Sequence, residues 1–165
     1  CVIRAEQGAR RYLAATQATD GAWTPLWFGN EHHPAQENPV YGTSRVVLAT
    51  PDPRGIEWLM NAVHEDGGVG GAADLPASVE ETAVTVEALA AAAAAGSVAD
   101  ELRRRAADAV DRGTRWLVEH TDGGRTFPTA PIGLYFAKLW YAEDLYPLVF
   151  TVAALERAAA VTAER

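Results

Sequence analysis

Apolar residues recur along this chain at helical rather than strand spacing. Val2, Ile3, Ala5, Ala9, Tyr12, Leu13 and Ala15 form one stripe, the pattern of an amphipathic helix. They predict a helix over residues 2–17 that ends at Thr19-Asp20-Gly21. Residues 24–40 break the period. Pro25, Gly29, Pro34 and Pro39 exclude a long helix, and Asn30, His32-His33 and Asn38 suit a loop. This loop carries Trp27 and Phe28, too much aromatic surface to leave in water. Tyr41–Thr50 reads as a short helix capped by Thr43 or Ser44. After the Pro51-Asp52-Pro53 break, Asp52 caps a helix with Pro53 in its first turn, running to about His64. An Asp66-Gly67-Gly68 turn and a glycine-rich loop to Gly71 follow.

Ser78 and Glu81 form a capping box for the next helix, whose buried face is Val79, Ala83, Val86, Leu89 and Ala90. Its alanine-rich end implies close approach to a neighbour, and Gly96 stops it. A long helix starts at Ser97 or Asp100, reaches about His120 and ends at Asp122-Gly123-Gly124. Thr126-Phe127-Pro128 opens a loop. Residues 131–142 are aromatic-rich and read as helical, and the last helix spans about Asp144 to Thr162, with Pro147 near its first turn. The total is six or seven helices and no strand, an all-α chain.

One unit recurs. Gln7 to Trp23 carries Gly8, Tyr12-Leu13, Gln17 and Gly21-Ala22-Trp23; Arg54-Gly55 and Trp58-Leu59 lead to Asp66-Gly67-Gly68; Arg112-Gly113 and Trp116-Leu117 lead to Asp122-Gly123-Gly124. The copies start about 45 to 60 residues apart, close to one helical hairpin each. Antiparallel hairpins in such an array close into an α/α barrel with an end cavity lined by aromatic loops. Gln17, Trp23, Trp58 and Trp116 read as clamps between hairpins.

Composition narrows the partners. A net charge of -8 argues against nucleic acid and against anionic lipid. No run of about 18 apolar residues is present. The single cysteine, Cys1, makes no internal disulfide, which fits a reducing, cytoplasmic compartment. His32-His33 has no partner at zinc spacing, so no metal site is expected. The chain opens without Met and with a helical pattern already under way, which leads to the expectation that it is the C-terminal portion of a longer protein.

The first unit resembles the QW repeat of the prenyltransferase and squalene cyclase superfamily, with Gln7 where a basic residue is usual; Val63 and Thr121 replace the Gln in the later copies. The order of landmarks is similar to the C-terminal part of squalene-hopene cyclases and related class II terpene cyclases: Tyr41-Gly42-Thr43, a Ser78-led helix, Phe127-Pro128, and an aromatic segment ending in Tyr146-Pro147-Leu148. The resemblance covers nearly the whole chain. It implies protonation-initiated cyclisation of a linear isoprenoid, either squalene or a prenyl diphosphate such as farnesyl or geranylgeranyl diphosphate. In that family an Asp-x-Asp-Asp acid protonates the substrate; the motif is absent here and is expected upstream, in the same protein. Residues 1–165 would then be the C-terminal part of the catalytic helical barrel, supplying cavity wall.

The resemblance makes Tyr41 the catalytic candidate, beside the acid, and Trp27, Phe28, Phe127, Tyr135, Phe136, Trp140 and Tyr141 the substrate-facing aromatics. Arg45, Arg125 and Lys138 are candidates for holding a diphosphate, a substrate that would bring Mg²⁺ as helper; otherwise no cofactor is implied. A squalene substrate would bring peripheral contact with a membrane. The zinc-dependent protein prenyltransferases and the thioester domains are excluded, because Cys1 lacks the sequence context of either. A non-catalytic helical-repeat module that binds a hydrophobic ligand or a protein partner is the alternative, and the degenerate second and third repeats fit it.

Overall fold

The computed structural model describes residues 1–134 and 139–163. Six helices and three short strands follow in the order α1 (Val2–Thr16), β1 (Gly29–Asn30), α2 (Pro39–Ala49), α3 (Pro53–Ala62), α4 (Val79–Ala94), α5 (Asp100–His120), β2 (Ile132–Leu134), β3 (Leu139–Tyr141) and α6 (Leu145–Ala163). At this level the chain is all-α, as the periodicity predicts, with one small sheet added.

Helix α4 is the hub. It is apolar on nearly every side, and it packs against α2, α5 and α6. A helix without a polar face must be buried. Its alanines Ala88, Ala90, Ala92 and Ala93 are buried and let neighbouring backbones come close. Ile56, Leu59, Val86, Leu89, Val110 and Leu117 complete the core. Helices α2, α4 and α6 run parallel, because they meet at two levels in the same order. At their N-terminal ends Asn38 reaches Glu81 and Tyr41 faces Phe150; further along, Arg45 and Arg157 both pair with Glu87. The helices α3 and α5 pack outside them.

The repeated unit has a physical basis. The Asp-Gly turns after α1 and α3 are built alike. Asp20 Oδ1 accepts from the Ala22 N–H and Asp66 Oδ1 from the Gly68 N–H. Two residues after each of these glycines, the Trp23 N–H donates to Thr43 Oγ1 and the Val69 N–H to Thr82 Oγ1, both at 2.9 Å. Gly21 and Gly67 adopt φ of 105° and 100°, and each lies against the carbonyl of the arginine that begins the next copy, Arg54 and Arg112. A side chain at Gly67 would sit 2.5 Å from that oxygen. Gln17 joins the first copy to the second: its amide donates to Gly21 O and Asp52 Oδ1 while Arg54 donates to its oxygen. Asp52 is the N-cap of α3, so one side chain fixes the angle between two hairpins. Trp23 covers this joint and donates to Leu13 O.

Four expectations are corrected. Helix α1 exists, but none of its residues is buried; Val2, Ile3 and Tyr12 face out with more than two thirds of their surface free, and of the stripe's larger side chains Leu13 alone is partly covered. Helix α2 starts at Pro39 and is capped by Asn38 rather than Thr43 or Ser44; Thr43 is engaged by Trp23. The described residues of the 131–142 stretch, 131–134 and 139–142, are not helical. They supply β2 and β3, which pair antiparallel with each other, and β2 pairs with β1. Pro128 and Pro131 precede them, and β-branched and aromatic types such as Ile132, Trp140 and Tyr141 favour extended backbone. Gly133 leaves room for the Trp140 ring, which would meet a Cβ there at 2.5 Å. Finally, α6 is long and apolar enough by length and composition to cross a membrane, with mean hydropathy 1.3; Glu156 and Arg157 interrupt its apolar run, so a search for unbroken runs passes over it. It packs along α4 and leaves Leu145, Val149 and Val152 at least half exposed.

The turn geometry predicts a contrast. Gly67→Ala, at positive φ and against a backbone oxygen, lowers unfolding free energy by about 2 kcal/mol or more. Gly96→Ala, with open space around it, leaves stability unchanged or raises it by up to about 1 kcal/mol. Urea unfolding of the two variants checks this.

Candidate functional site

The parallel arrangement brings the first turns of α2, α4 and α6 to one end of the molecule, and four aromatic rings gather there. Phe28 and Tyr41 stack with centroids 4.0 Å apart and planes at 14°. Tyr146 and Phe150, one turn apart on α6, stack at 5.4 Å. Phe28 lies 6.1 Å from Tyr146, and Tyr41 lies 6.4 Å from Phe150. Phe28 holds a left-handed backbone, φ 57°, which a bulky residue adopts only under constraint. The constraint is the β1–β2 pairing directly after it, which fixes the loop and turns the ring onto Tyr41.

Two adjacent carboxyl groups lie beside these rings, in the first turn of α4. Both Glu80 and Glu81 are 5 % exposed. Ser78 caps the helix by accepting from the Glu81 N–H, as the capping box predicts, and its hydroxyl donates to Glu81 Oε2. Glu81 Oε1 accepts from Asn30 Nδ2 at 3.1 Å and Asn38 Nδ2 at 2.9 Å. Burial pushes the Glu81 carboxyl above the usual range, against the pull of these donors. Glu80 Oε1 accepts from the Ala130 N–H at 2.8 Å; its Oε2 is buried with no hydrogen-bond partner among the described residues. Burial raises the Glu80 pKa to about 7; the Ala130 N–H, its own backbone N–H and the Ser78 side chain oppose the shift, and the Glu81 charge adds to it. Burial also pushes the Tyr41 phenol up, opposed by Arg45 and reinforced by Tyr146 and Tyr141.

Phe28, Asn38, Tyr41, Glu80, Glu81, Ile132 and Phe150 enclose a chamber with about 10 Å³ open to water centres, close to the least that one water needs. A turn or two along the same helices, Glu87 pairs with Arg45 at 3.6 Å and Arg157 at 3.1 Å. Arg125 pairs with Asp122 at 3.2 Å. A larger and more open hollow of about 800 Å³, bordered by Asn30, His64, Ser78, Trp116, His120 and Ala130, contains none of the predicted aromatics. The chamber is the stronger candidate, because buried ionisable groups and ring faces converge on it.

Of the predicted residues, Tyr41 and Phe28 meet in the chamber. Trp27 is 54 % exposed, Tyr141 43 % exposed, and Trp140 lies on Gly133 in the sheet. Phe127 is half-buried in the loop after α5 and does not line the chamber. Tyr135, Phe136 and Lys138 lie outside the described residues. Sequence reading missed Tyr146 and Phe150 as ring partners, and Asn30, Asn38, Glu80 and Glu81 as the polar set. A signal was present: Glu80-Glu81 is an acidic pair at the start of a helix rich in alanine and valine.

No family profile matches the chain. It is 29 % identical over 145 residues to enfumafungin synthase efuA of Hormonema carpetanum, a match that covers 79 % of this chain and 10 % of that protein. The chain therefore spans about a tenth of that relative's length.

The raised carboxyl has a consequence for stability. Glu80 ionises at about 7 in the fold against 4.5 when free. Between those values the native state holds a proton that the unfolded chain has lost, so stability falls as pH rises from 4.5 to about 7. Glu80→Gln flattens this slope in urea titrations across that range.

Proposed function

We propose that this chain is the C-terminal part of the helical-barrel domain of a class II terpene cyclase and supplies aromatic wall to a cavity in which a linear isoprenoid is cyclised after protonation. The distant likeness to enfumafungin synthase supports a relation to terpene cyclases. The observation that carries the reading is the convergence of four ring faces at the start of three parallel helices. A carbocation is quenched by any good nucleophile, so a cyclase must stabilise it with groups that do not bond to it. Ring faces do this through their quadrupole, for about 0.5–2 kcal/mol each. The protonating acid belongs to the part of the protein before this segment, and Tyr41 is the residue of this chain that would hold or reprotonate it.

The substrate is squalene-like or a prenyl diphosphate. Arg45 and Arg125 are both paired with carboxylates of this chain. That pairing weakens the case for a diphosphate and its attendant Mg²⁺, and favours the hydrocarbon, a substrate delivered from a membrane surface.

The test is incubation of the full-length protein with squalene, farnesyl diphosphate and geranylgeranyl diphosphate, with analysis for cyclic products. The expected result is a cyclic product from one of them. Tyr41→Ala lowers its rate by about ten-fold or more, the loss of one well-placed ring and hydroxyl, and Tyr41→Phe separates the hydroxyl's share from the ring's. No product from any substrate favours the non-catalytic module that binds a hydrophobic ligand or partner.

A further inference from the structure

The open hollow and the ring chamber share a wall. Asn30, Ser78, Ala130 and Pro131 border the hollow of about 800 Å³, and Glu80, Glu81 and Ile132 border the chamber. Three hydrogen bonds join the two sets. Asn30 and Ser78 donate to Glu81, and the Ala130 N–H donates to Glu80 Oε1 at 2.8 Å. The first two donors are also fixed elsewhere, Asn30 by the β1–β2 pairing and Ser78 as the cap of α4. Ala130 is not. It belongs to a strap, residues 127–131, that forms no regular element. Before the strap, the Arg125 and Thr126 N–H groups donate to Thr121 O; after it, Ile132 pairs with Asn30 and Tyr141. Between these anchors the Ala130–Glu80 bond is the strap's one hydrogen bond among the described residues. Pro128, Thr129 and Pro131 are exposed. The two prolines hold φ at about −65°, so the strap shifts about its ends rather than crumpling.

We propose that residues 127–131 are a gate between the hollow and the ring chamber, and that the Ala130–Glu80 bond is its latch. Closed, the chamber has about 10 Å³ of open space, which admits one water at most and no part of an organic ligand. Phe28, Tyr41 and Phe150 line it, so a ligand coming from the hollow reaches these rings only when the shared wall moves. Opening parts Ala130 from Glu80 and joins the two spaces. It strips the Glu80 carboxyl of its backbone donor, so the closed state is the resting one. Water entering from the hollow then stands in for that donor, which keeps the open state within reach. The loss of one bond in an exposed segment belongs to the low-cost end of native-state openings. That the group passing the gate is an isoprenoid rests on the cyclase reading; the latch does not.

Hydrogen exchange of the full-length protein, read by mass spectrometry, tests the latch without any substrate. Glu80→Met keeps the length of the side chain and removes the acceptor, whereas Glu80→Gln keeps an acceptor. The expected result is that Glu80→Met speeds exchange in the peptide carrying Phe127, Thr129 and Ala130 by about ten-fold or more, the scale of one hydrogen bond to a carboxyl group. Glu80→Gln leaves that peptide near the wild-type rate, and exchange in α4 and α6 is unchanged in both variants. Equal rates in wild type and Glu80→Met overturn the latch, and so does a Glu80→Gln as fast as Glu80→Met. Exchange that rises as much in α4 and α6 as in the strap also overturns it, because that is general loosening. Thiol labelling tests the gate from the chamber side, and it serves even where Glu80→Met does not fold. Ile132 is buried at the chamber wall, and Ala130→Pro removes the latch donor without touching α4. Labelling of the Ile132→Cys variant, localised by mass spectrometry, runs about ten-fold or more faster once Ala130→Pro is added; an unchanged rate overturns the gate. A wild-type protein that cyclises none of the three substrates sinks the cyclase reading, and the exchange and labelling rates still decide the gate.

Discussion

Two neighbouring carboxyl groups are buried in the first turn of a helix that has no polar face, and the surrounding structure is arranged to make that tolerable. An isolated buried carboxylate is prohibitively expensive unless it is hydrogen-bonded or neutral. Glu81 is given donors: Ser78 from its own cap, Asn38 from the cap of α2 and Asn30 from β1. Each donor is also structural. Asn38 starts α2 and Asn30 sits in the sheet, so satisfying one carboxyl fixes a helix and a loop in the same place. Glu80 accepts from the Ala130 N–H, and burial raises its pKa to about 7, so its neutral form persists well above the ordinary carboxylate range. The helix N-terminus favours negative charge at both positions, but burial outweighs it.

This polar knot explains the position of the rings. Tyr41 stands three residues beyond Asn38, and Phe28 two residues before Asn30. Once Asn30 and Asn38 are both held by Glu81, the two rings are brought face to face. Helix α6 completes the group with Tyr146 and Phe150, and the Arg45–Glu87–Arg157 bridge fixes the depth of α2 and α6 against α4. The repeated turns set the outer layer: Gly21 and Gly67 lie on the arginine carbonyls of the following copies, and Gln17 links the end of α1 to the cap of α3. The clamps hold hairpins at a distance from the chamber, and the chamber depends on the resulting parallel order of α2, α4 and α6.

The helices were legible in the sequence because local signals agreed with tertiary demand. Asp52-Pro53 and Ser78–Glu81 mark starts with their own side chains, and Asp66-Gly67 marks a stop that needs positive φ. The start of α2 was misread because Thr43 is a good cap by type but is claimed by the Trp23 N–H from twenty residues away. The strands were misread because each is two or three residues long and takes its partner from a distant loop; β1 pairs with residues more than a hundred positions on. In the candidate site, Tyr41 and Phe28 were legible as residues, but their stacking was not, since it follows from long-range bonds of Asn30 and Asn38. Glu81 was read as half of a capping box. Its second role, accepting from two asparagines, carries no local mark.

The account stands on the coupling of α2 to α4 through Asn38 and Glu81. A double-mutant cycle with Asn38→Ala, Glu81→Ala and both together, followed by urea unfolding, isolates that bond from the cap Asn38 also provides, because the cap is lost equally on both sides of the cycle. The account predicts a coupling energy of about 1–3 kcal/mol for a buried charge-assisted contact. Additive losses would contradict it.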